Sequence, residues 1–324
     1  MTPADASPPA TEPPSVGVIY NPRSHRNRGQ DLNLGVRANI FVAQPADIAS
    51  LREALARFAA RGIDYLVING GDGTVRDVLT AGLPVFGRAW PDLAVLPKGK
   101  TNALNVDLGA PPGWTIGEAI AAWPRARRIA RRPLLVEPLD REGAPMLGFI
   151  FGAGAYTLGI RAGQDAHRLG AFDSLAVGVT AAWGMLQALL GTDRNAWRRG
   201  VDMAIALGPE RQPMPRTAVG DPARRHFMLA STLERFPAGL KVFGELVEGL
   251  KLLVVDHPRR RLLLSMPAAL TGRGPARLEQ WGLHRLGADP VEIAVADEII
   301  LDGEAFPAGR YRLSSGPELR FLVP

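Results

Sequence analysis

The chain has 324 residues, a formal net charge of +6, 46% hydrophobic and 22% charged residues, and no cysteine. Its length favours two domains over one, and its composition is that of a globular protein, neither fibrous nor wholly disordered. The missing cysteine excludes disulfides, thiolate metal sites and cysteine nucleophiles, while the charge, carried almost entirely by arginine, locates no site by itself.

Residues 1–15 are rich in Pro and Ala. They lack the basic start and apolar run of a signal peptide and read as a disordered tail. VGVIY (Val16 to Tyr20) is a short β-branched run that ends at Asn21-Pro22, which predicts a buried strand entering a loop. The loop itself, NPRSHRNRG, is polar and basic. Ile48, Leu51, Leu55 and Phe58 fall at helical spacing, with Asp47 to cap the start and Gly62 to end it. IDYLVIN predicts a second buried strand, followed at once by GGDGT and a helix beginning near Thr74. LAVLP predicts a third strand, closed by PKGKTN and a short helix, ALNVDLG. Strands and helices in this alternation imply a parallel sheet, and its three unusual loops all follow strands and so gather on one edge.

Near Pro111 to Pro133 the texture changes. Arg125, Arg127, Arg128, Arg131 and Arg132 crowd a short span that reads as a solvated helix face or a basic patch. The expected division is an α/β domain over 16–125 and a mostly antiparallel, sandwich-like β domain over 126–324. Strand candidates there include MLGFIFGAG, VDMAIAL, HFMLAST, LKLLVVD, RLLLSM, VEIAVA, EIILDGE, YRLSS and ELRFLVP. Ser315-Gly316 reads as a hairpin turn, and a return of the last strand to the first domain stays open. Pro209 to Arg225 reads as an exposed loop. Ser174 to Thr192 has no charged residue, but its Gly, Ala, Ser and Thr content and flanking acids favour a buried or surface-docking helix over a membrane span.

The residues that carry chemistry sit in the loops. In GGDGT, the glycines Gly70, Gly71 and Gly73 let the backbone turn sharply and let phosphate oxygens approach main-chain N–H groups. Thr74 lies at the helix start, whose partly positive end suits an anion. Asp72 would repel a phosphate directly, so it makes sense holding magnesium, orienting a hydroxyl or taking a proton. In PKGKTN, Gly99 again permits close approach, Lys98 and Lys100 supply ammonium groups, and Thr101 and Asn102 can bond at a helix start. Two of the four lysines of the chain sit in this loop. Asn21, Ser24 and the arginines of the first loop, Arg28 among them, offer further contacts to phosphate or ribose. Asp302, Gly303 and Glu304 form a late acidic turn.

Together these pieces resemble the diacylglycerol kinase catalytic family, which includes bacterial diacylglycerol kinases, YegS-like lipid kinases, and sphingosine and ceramide kinases. The resemblance runs from about Val16 to the end of the chain, through GGDGT, NP-x-S, P-x-G-x-x-N and the late DGE in the family's order. It implies an α/β ATP-binding domain, a β-sandwich lipid domain and an active site in the cleft between them. Asn21, Ser24, Gly70, Gly71, Gly73, Thr74 and Asn102 would bind ATP. Asp72 would help place magnesium, and Glu304 would take the proton from a lipid hydroxyl. The implied activity is ATP- and Mg2+-dependent phosphorylation of diacylglycerol, or of ceramide or a sphingoid base, by a cytoplasmic enzyme held peripherally at the inner face of the membrane. Its partners would be ATP and a lipid at the membrane surface, not nucleic acid, with homodimerisation left open. The sequence departs from the family at Arg76, where an Asn is usual, at Lys100 and at His25. Its LERFPAGLKVFGELVEGL segment lacks the family's structural-metal pattern, so that metal is not expected. GGDGT also occurs in kinases of soluble substrates such as NAD kinases, and a catalytically silent nucleotide-binding, membrane-associated protein is a third reading.

Overall fold

The computed structural model describes residues 13–27, 38–168, 187–192, 195–217, 219–275 and 277–324. Most of the expected tail, Arg28 and the greater part of the uncharged Ser174 to Thr192 stretch lie outside the described residues.

Apolar runs build the first sheet. β1 (Val16–Tyr20), β3 (Tyr65–Gly70) and β4 (Asp92–Pro97) are buried throughout, as strands covered on both faces must be. With β2 (Ile40–Ala43) they run parallel in the order β2-β1-β3-β4. α1 (Ile48–Ala60) opens on a capping box between Asp47 and Ser50 and stops at Gly62, whose φ of +61° suits a residue without a side chain. α2 (Asp72–Phe86) connects β3 to β4, and α3 (Ala103–Leu108) and α4 (Ile116–Ala122) follow β4. α1 and α2 cover one face through Leu55, Phe58, Val78 and Leu79. α4 covers the other through Ile116 and Ala119. The parallel order brings the ends of β1, β3 and β4 to one edge, as expected.

Two further strands complete this sheet and correct the sequence reading. β19 (Leu319–Val323) lies parallel to β4, and β5 (Arg127–Arg131) lies antiparallel to β19. Ser315-Gly316 is therefore no hairpin turn, because β18 (Gly309–Ser315) belongs to a different sheet. A division at residue 125 also separates β5 from the sheet it completes. The arginines concealed this strand, yet an edge strand carries charge well. Arg128 reaches Asp92 at 2.8 Å, Arg131 reaches Asp107 at 2.7 Å and Glu234 at 2.8 Å, and Arg132 reaches Glu318 at 3.0 Å. Those three arginines belong to ion pairs, not to a bare basic patch.

Two antiparallel sheets form the second part. One contains β6 (Leu134–Pro138), β7 (Met146–Gly148), β9 (Val201–Leu207), β10 (Gln212–Pro213), β11 (Arg224–Arg225), β15 (Val291–Val295) and β18. The other contains β8 (Ile150–Gly154), β12 (Phe227–Ser231), β13 (Lys251–Val255), β14 (Leu283–Gly287), β16 (Ile299–Leu301) and β17 (Glu304–Phe306). Val136, Ile293 and Tyr311 from the first meet Phe151, Val254 and Leu301 from the second in a shared core, so this is a sandwich. α5 (Ala155–Arg168) follows β8. The RLLLSM segment, expected as a strand, is the start of a helix, Arg260–Leu270. Leu262 and Leu263 are buried while Leu264 is 68% exposed, a period that three consecutive leucines cannot reveal in the sequence. The Pro209 to Arg225 loop ends in β11, where Arg225 is buried.

The chain crosses between the two parts side by side. β5 leads into β6 through Arg132-Pro133, β18 leads into β19 through Gly316-Pro317, and the Gly316 N–H donates to the Pro133 carbonyl at 2.7 Å. Among the described residues no helix is long and apolar enough to cross a membrane.

Candidate active site

The three loops predicted to gather do so, and backbone contact locks them together. A Cβ on Gly71 would sit 2.7 Å from the Gly99 Cα, and one on Gly99 would sit 2.7 Å from the Gly71 Cα, so the two loops approach as only glycines allow. A Cβ on Gly70 would strike the Thr74 side chain at 2.4 Å, whereas one on Gly73 would meet nothing within 4 Å. Gly73 thus presents open backbone at the start of α2. Asn21 at the end of β1 donates through Nδ2 to Thr74 Oγ1 at 2.8 Å. Asn27 ties the same loop to β3 through Asn69 Oδ1 at 2.9 Å. Ser24 is buried in this turn, with its N–H on the Asn21 carbonyl at 3.2 Å.

The second loop differs from expectation. Asn102, expected to cap α3 or to face the nucleotide, has a left-handed φ of 51° and makes no cap bond. Its amide accepts from the Gly99 N–H at 2.7 Å and donates to the Gly99 carbonyl at 3.0 Å, bracing the loop from within. The cap comes from another element. α2 begins at Asp72, two residues before Thr74, with Gly71 as its N-cap, and the backbone N–H groups of Asn102, Ala103 and Leu104 bond to the Asp72 carboxylate. Burial raises Asp72 above the ordinary carboxylate range even against those bonds. Lys98 is half-buried, and burial, then the Arg26 charge, lowers its ammonium. Lys100 and Thr101 are exposed at the rim.

The sandwich supplies the opposite wall. The turn between β16 and β17 places Asp302 at a φ of 46° and Gly303 at 84°. Asp302 accepts from the Phe149 N–H at 3.0 Å and the Ile150 N–H at 2.8 Å. Asp72 and Asp302 share a cavity of about 10 Å³ with Val75, Ala103, Leu104 and Phe149, room for about one water. Burial, and then the charge of Asp72, push Asp302 up to about 7. Burial and the same two carboxylates push the Tyr156 hydroxyl upward. Glu304 lies at the exposed edge of this wall, paired with Arg76 of α2.

Of the residues singled out in the sequence, the structure joins Asn21 to Thr74, brings the Gly71 and Gly99 backbones into contact, and pairs Glu304 with Arg76 of α2. Sequence reasoning gave no role to Asp302, although DGE contains it, nor to Tyr156, just beyond the GFIFGAG run. Arg76 reads in the sequence only as a departure from the motif.

Residues 15–130 match the family model described as the diacylglycerol kinase catalytic domain. No curated protein matches the chain. Among solved structures, a candidate diacylglycerol kinase from Bacillus anthracis str. Sterne superposes with a TM-score of 0.64 at 16% identity, over 97% of this chain and 98% of that one. A diacylglycerol kinase from the same organism gives 0.58 at 13% identity, again over 97% and 98%. At such identity the structures share a fold: an α/β part with a mostly parallel sheet, then an antiparallel sandwich. Residues 15–130 are thus similar to the diacylglycerol kinase catalytic domain, and the whole chain shares the fold of these solved structures.

Proposed function

We propose that this protein is an ATP- and magnesium-dependent lipid kinase that transfers the γ-phosphate to the hydroxyl of diacylglycerol, giving phosphatidic acid. The observation that supports this most is the cleft in which a kinase-family glycine loop with Asp72 faces the Asp302–Glu304 turn of the sandwich. The residues present fit a nucleotide. Gly73 leaves its backbone open at the start of a helix, where phosphate oxygens are favoured, and Lys98 and Lys100 flank Gly99, whose backbone meets Gly71, to balance phosphate charge. Asn21 holds Thr74 in place from the neighbouring strand. The residues also fit magnesium, which takes one or two carboxylates and completes its shell with phosphate oxygens and water. Asp72 and Asp302 are two carboxylates sharing one small cavity, both raised by burial, and either could hold the ion. When bound, magnesium supplies neutralisation of the phosphate charge that builds up during transfer.

The work of the chain is positional. Glu304 accepts the proton of the lipid hydroxyl as its oxygen forms a bond to the γ-phosphorus. The bond from that phosphorus to the bridging oxygen breaks, and ADP carries away the electron pair. The apolar sandwich walls face the acyl chains, and the enzyme works at the surface of the membrane.

The test is transfer of labelled γ-phosphate to mixed micelles of diacylglycerol, ceramide or sphingosine, with Asp72→Ala and Glu304→Ala alongside. Labelled phosphatidic acid, reduced at least about 100-fold in both variants, is expected. Label in ceramide or sphingosine instead would rename the acceptor. Intact ATP binding with no labelled lipid would sink the lipid-kinase reading.

A further inference from the structure

Arg76 lies one helical turn beyond Asp72 on α2, and so on the same helix face. The residue is only 6% exposed, and its side chain spans the cleft. Nη1 donates to the Leu301 carbonyl at 3.3 Å, and Nη2 pairs with the Glu304 carboxylate. Asp77 accepts from Nε at 3.1 Å and from Nη2 at 2.7 Å on the near side. The ring of Phe306 lies 5.8 Å away. Leu301 and Glu304 bracket the Asp302-Gly303 turn, so one side chain grips both ends of the segment that carries the second-domain acids. Burial alone would lower Arg76, but the charges of Asp77, Glu304 and Asp302 outweigh it and keep the group cationic.

We propose that Arg76 is a positioning residue for phosphoryl transfer: it fastens α2 to the β16–β17 turn and fixes Glu304 in one placement at the mouth of the cleft. The inference rests on the lipid-kinase reading for the reaction that Glu304 serves. The Glu304 side chain is 57% exposed and has no other described ion-pair partner, so without Arg76 it would sample several rotamers. Displacement of a reacting group by about 1 Å costs on the order of 100-fold in rate. An Asn at this position could not bridge the cleft. A Lys could pair with Glu304, but as a point charge it could not serve Asp77, Leu301 and Glu304 together.

The test compares Arg76→Asn and Arg76→Lys in the full chain, alone and combined with Glu304→Ala. For Arg76→Asn, kcat is expected to fall about 10- to 100-fold while KM for ATP stays within about 2-fold, as loss of an interaction that matters only in the transition state requires. Arg76→Lys should recover part of kcat. In the Glu304→Ala background, Arg76→Asn should cause no further loss. If Arg76→Asn instead raises KM at unchanged kcat, or lowers the residual rate of Glu304→Ala by its full factor, the proposal is overturned. Should wild type label no lipid, the lipid reading falls separately, and the urea midpoints of the same variants decide this one. Strictly additive shifts would overturn the grip, and a non-additive pair would support it.

Discussion

The sandwich sheet that contains β13 and β16 carries an acid at each of its two ends, treated in opposite ways. At the cleft, Asp302 shares a cavity with Asp72, and burial and that charge outweigh the opposing charge of Arg76 and push it up to about 7. At the far end, where β13 runs out, Asp256 is ringed by partners: the Arg225 guanidinium, His284 Nε2 at 2.8 Å, and the Thr217 N–H at 2.8 Å. Burial raises Asp256 too, but those bonds and charges outweigh it and leave the carboxyl below its ordinary range. The comparison separates two uses of buried charge. A carboxylate paired with a cation as well as with N–H donors holds the fold together. Asp72 and Asp302 also accept backbone N–H bonds, but no described ion pair joins either to a cation, and burial beside a second acid favours a cation or a proton there, which is how reactive sites differ from structural ones.

The largest effect should come from breaking the satisfied end. Asp256→Ala strands the Arg225 guanidinium, which is 4% exposed, and should lower the free energy of urea unfolding by about 3–5 kcal/mol, with the rate per folded molecule unchanged. A loss below about 1 kcal/mol would erase the contrast.

The cleft should respond with the opposite sign. Because Asp302 is raised when folded, the native state keeps a proton that the unfolded chain releases. Stability therefore falls as pH rises from about 4 to 7, and levels off above. Asp302→Asn keeps the acceptor for the Phe149 and Ile150 N–H groups and removes the charge, so it should unfold less readily than wild type at pH 8, match it near pH 4, and lose phosphoryl transfer. Asp256 obeys the reverse rule: its stabilisation is present above the unfolded value and is lost as pH falls through the depressed folded one. A pH-independent gap between wild type and Asp302→Asn would dismiss the two-acid cavity.

The smallest expected shift sharpens the glycine loops. Gly71→Ala pushes a methyl against the Gly99 backbone and should cost about 1–3 kcal/mol. Gly73→Ala points into open space within a helix and should be neutral or stabilising by up to about 1 kcal/mol, while weakening ATP binding. Equal losses of stability at both positions would show that the open backbone at Gly73 is not what distinguishes them.

What the sequence made legible were features written locally. β1, β3 and β4 are continuous apolar runs, and the glycines of GGDGT and PKGKTN announce where backbones must turn or touch. What it hid were partnerships across the chain. Nothing near Asp107 signals that its buried carboxylate accepts from the Glu234 and Arg235 N–H groups at 2.8 and 2.7 Å and pairs with Arg131. The arginine-rich β5 reads as a surface because its acids, Asp92 and Asp107, lie elsewhere in the chain. Arg76 looks like a defect in a motif until Glu304 is set beside it. Pairing energy of this kind is a property of two distant positions, and neither one carries it alone.

The place of β19 has a consequence for how the molecule comes to be. β4 ends at Pro97, and its neighbour on the open side begins only at Leu319, with Phe321, Leu322 and Val323 all fully buried. The sheet under the glycine loops therefore cannot close until the sandwich has been threaded and the chain has come back. A fragment stopping after residue 130 would keep nearly all the recognisable motifs and yet expose the raw edge of β4 and the apolar faces meant for Phe321 and Leu322. Such an edge invites pairing with other chains, and so long a closure slows folding. The segment easiest to recognise is for that reason not a portable module: a ribosome or an engineer that releases it early should obtain aggregate in place of a folded half.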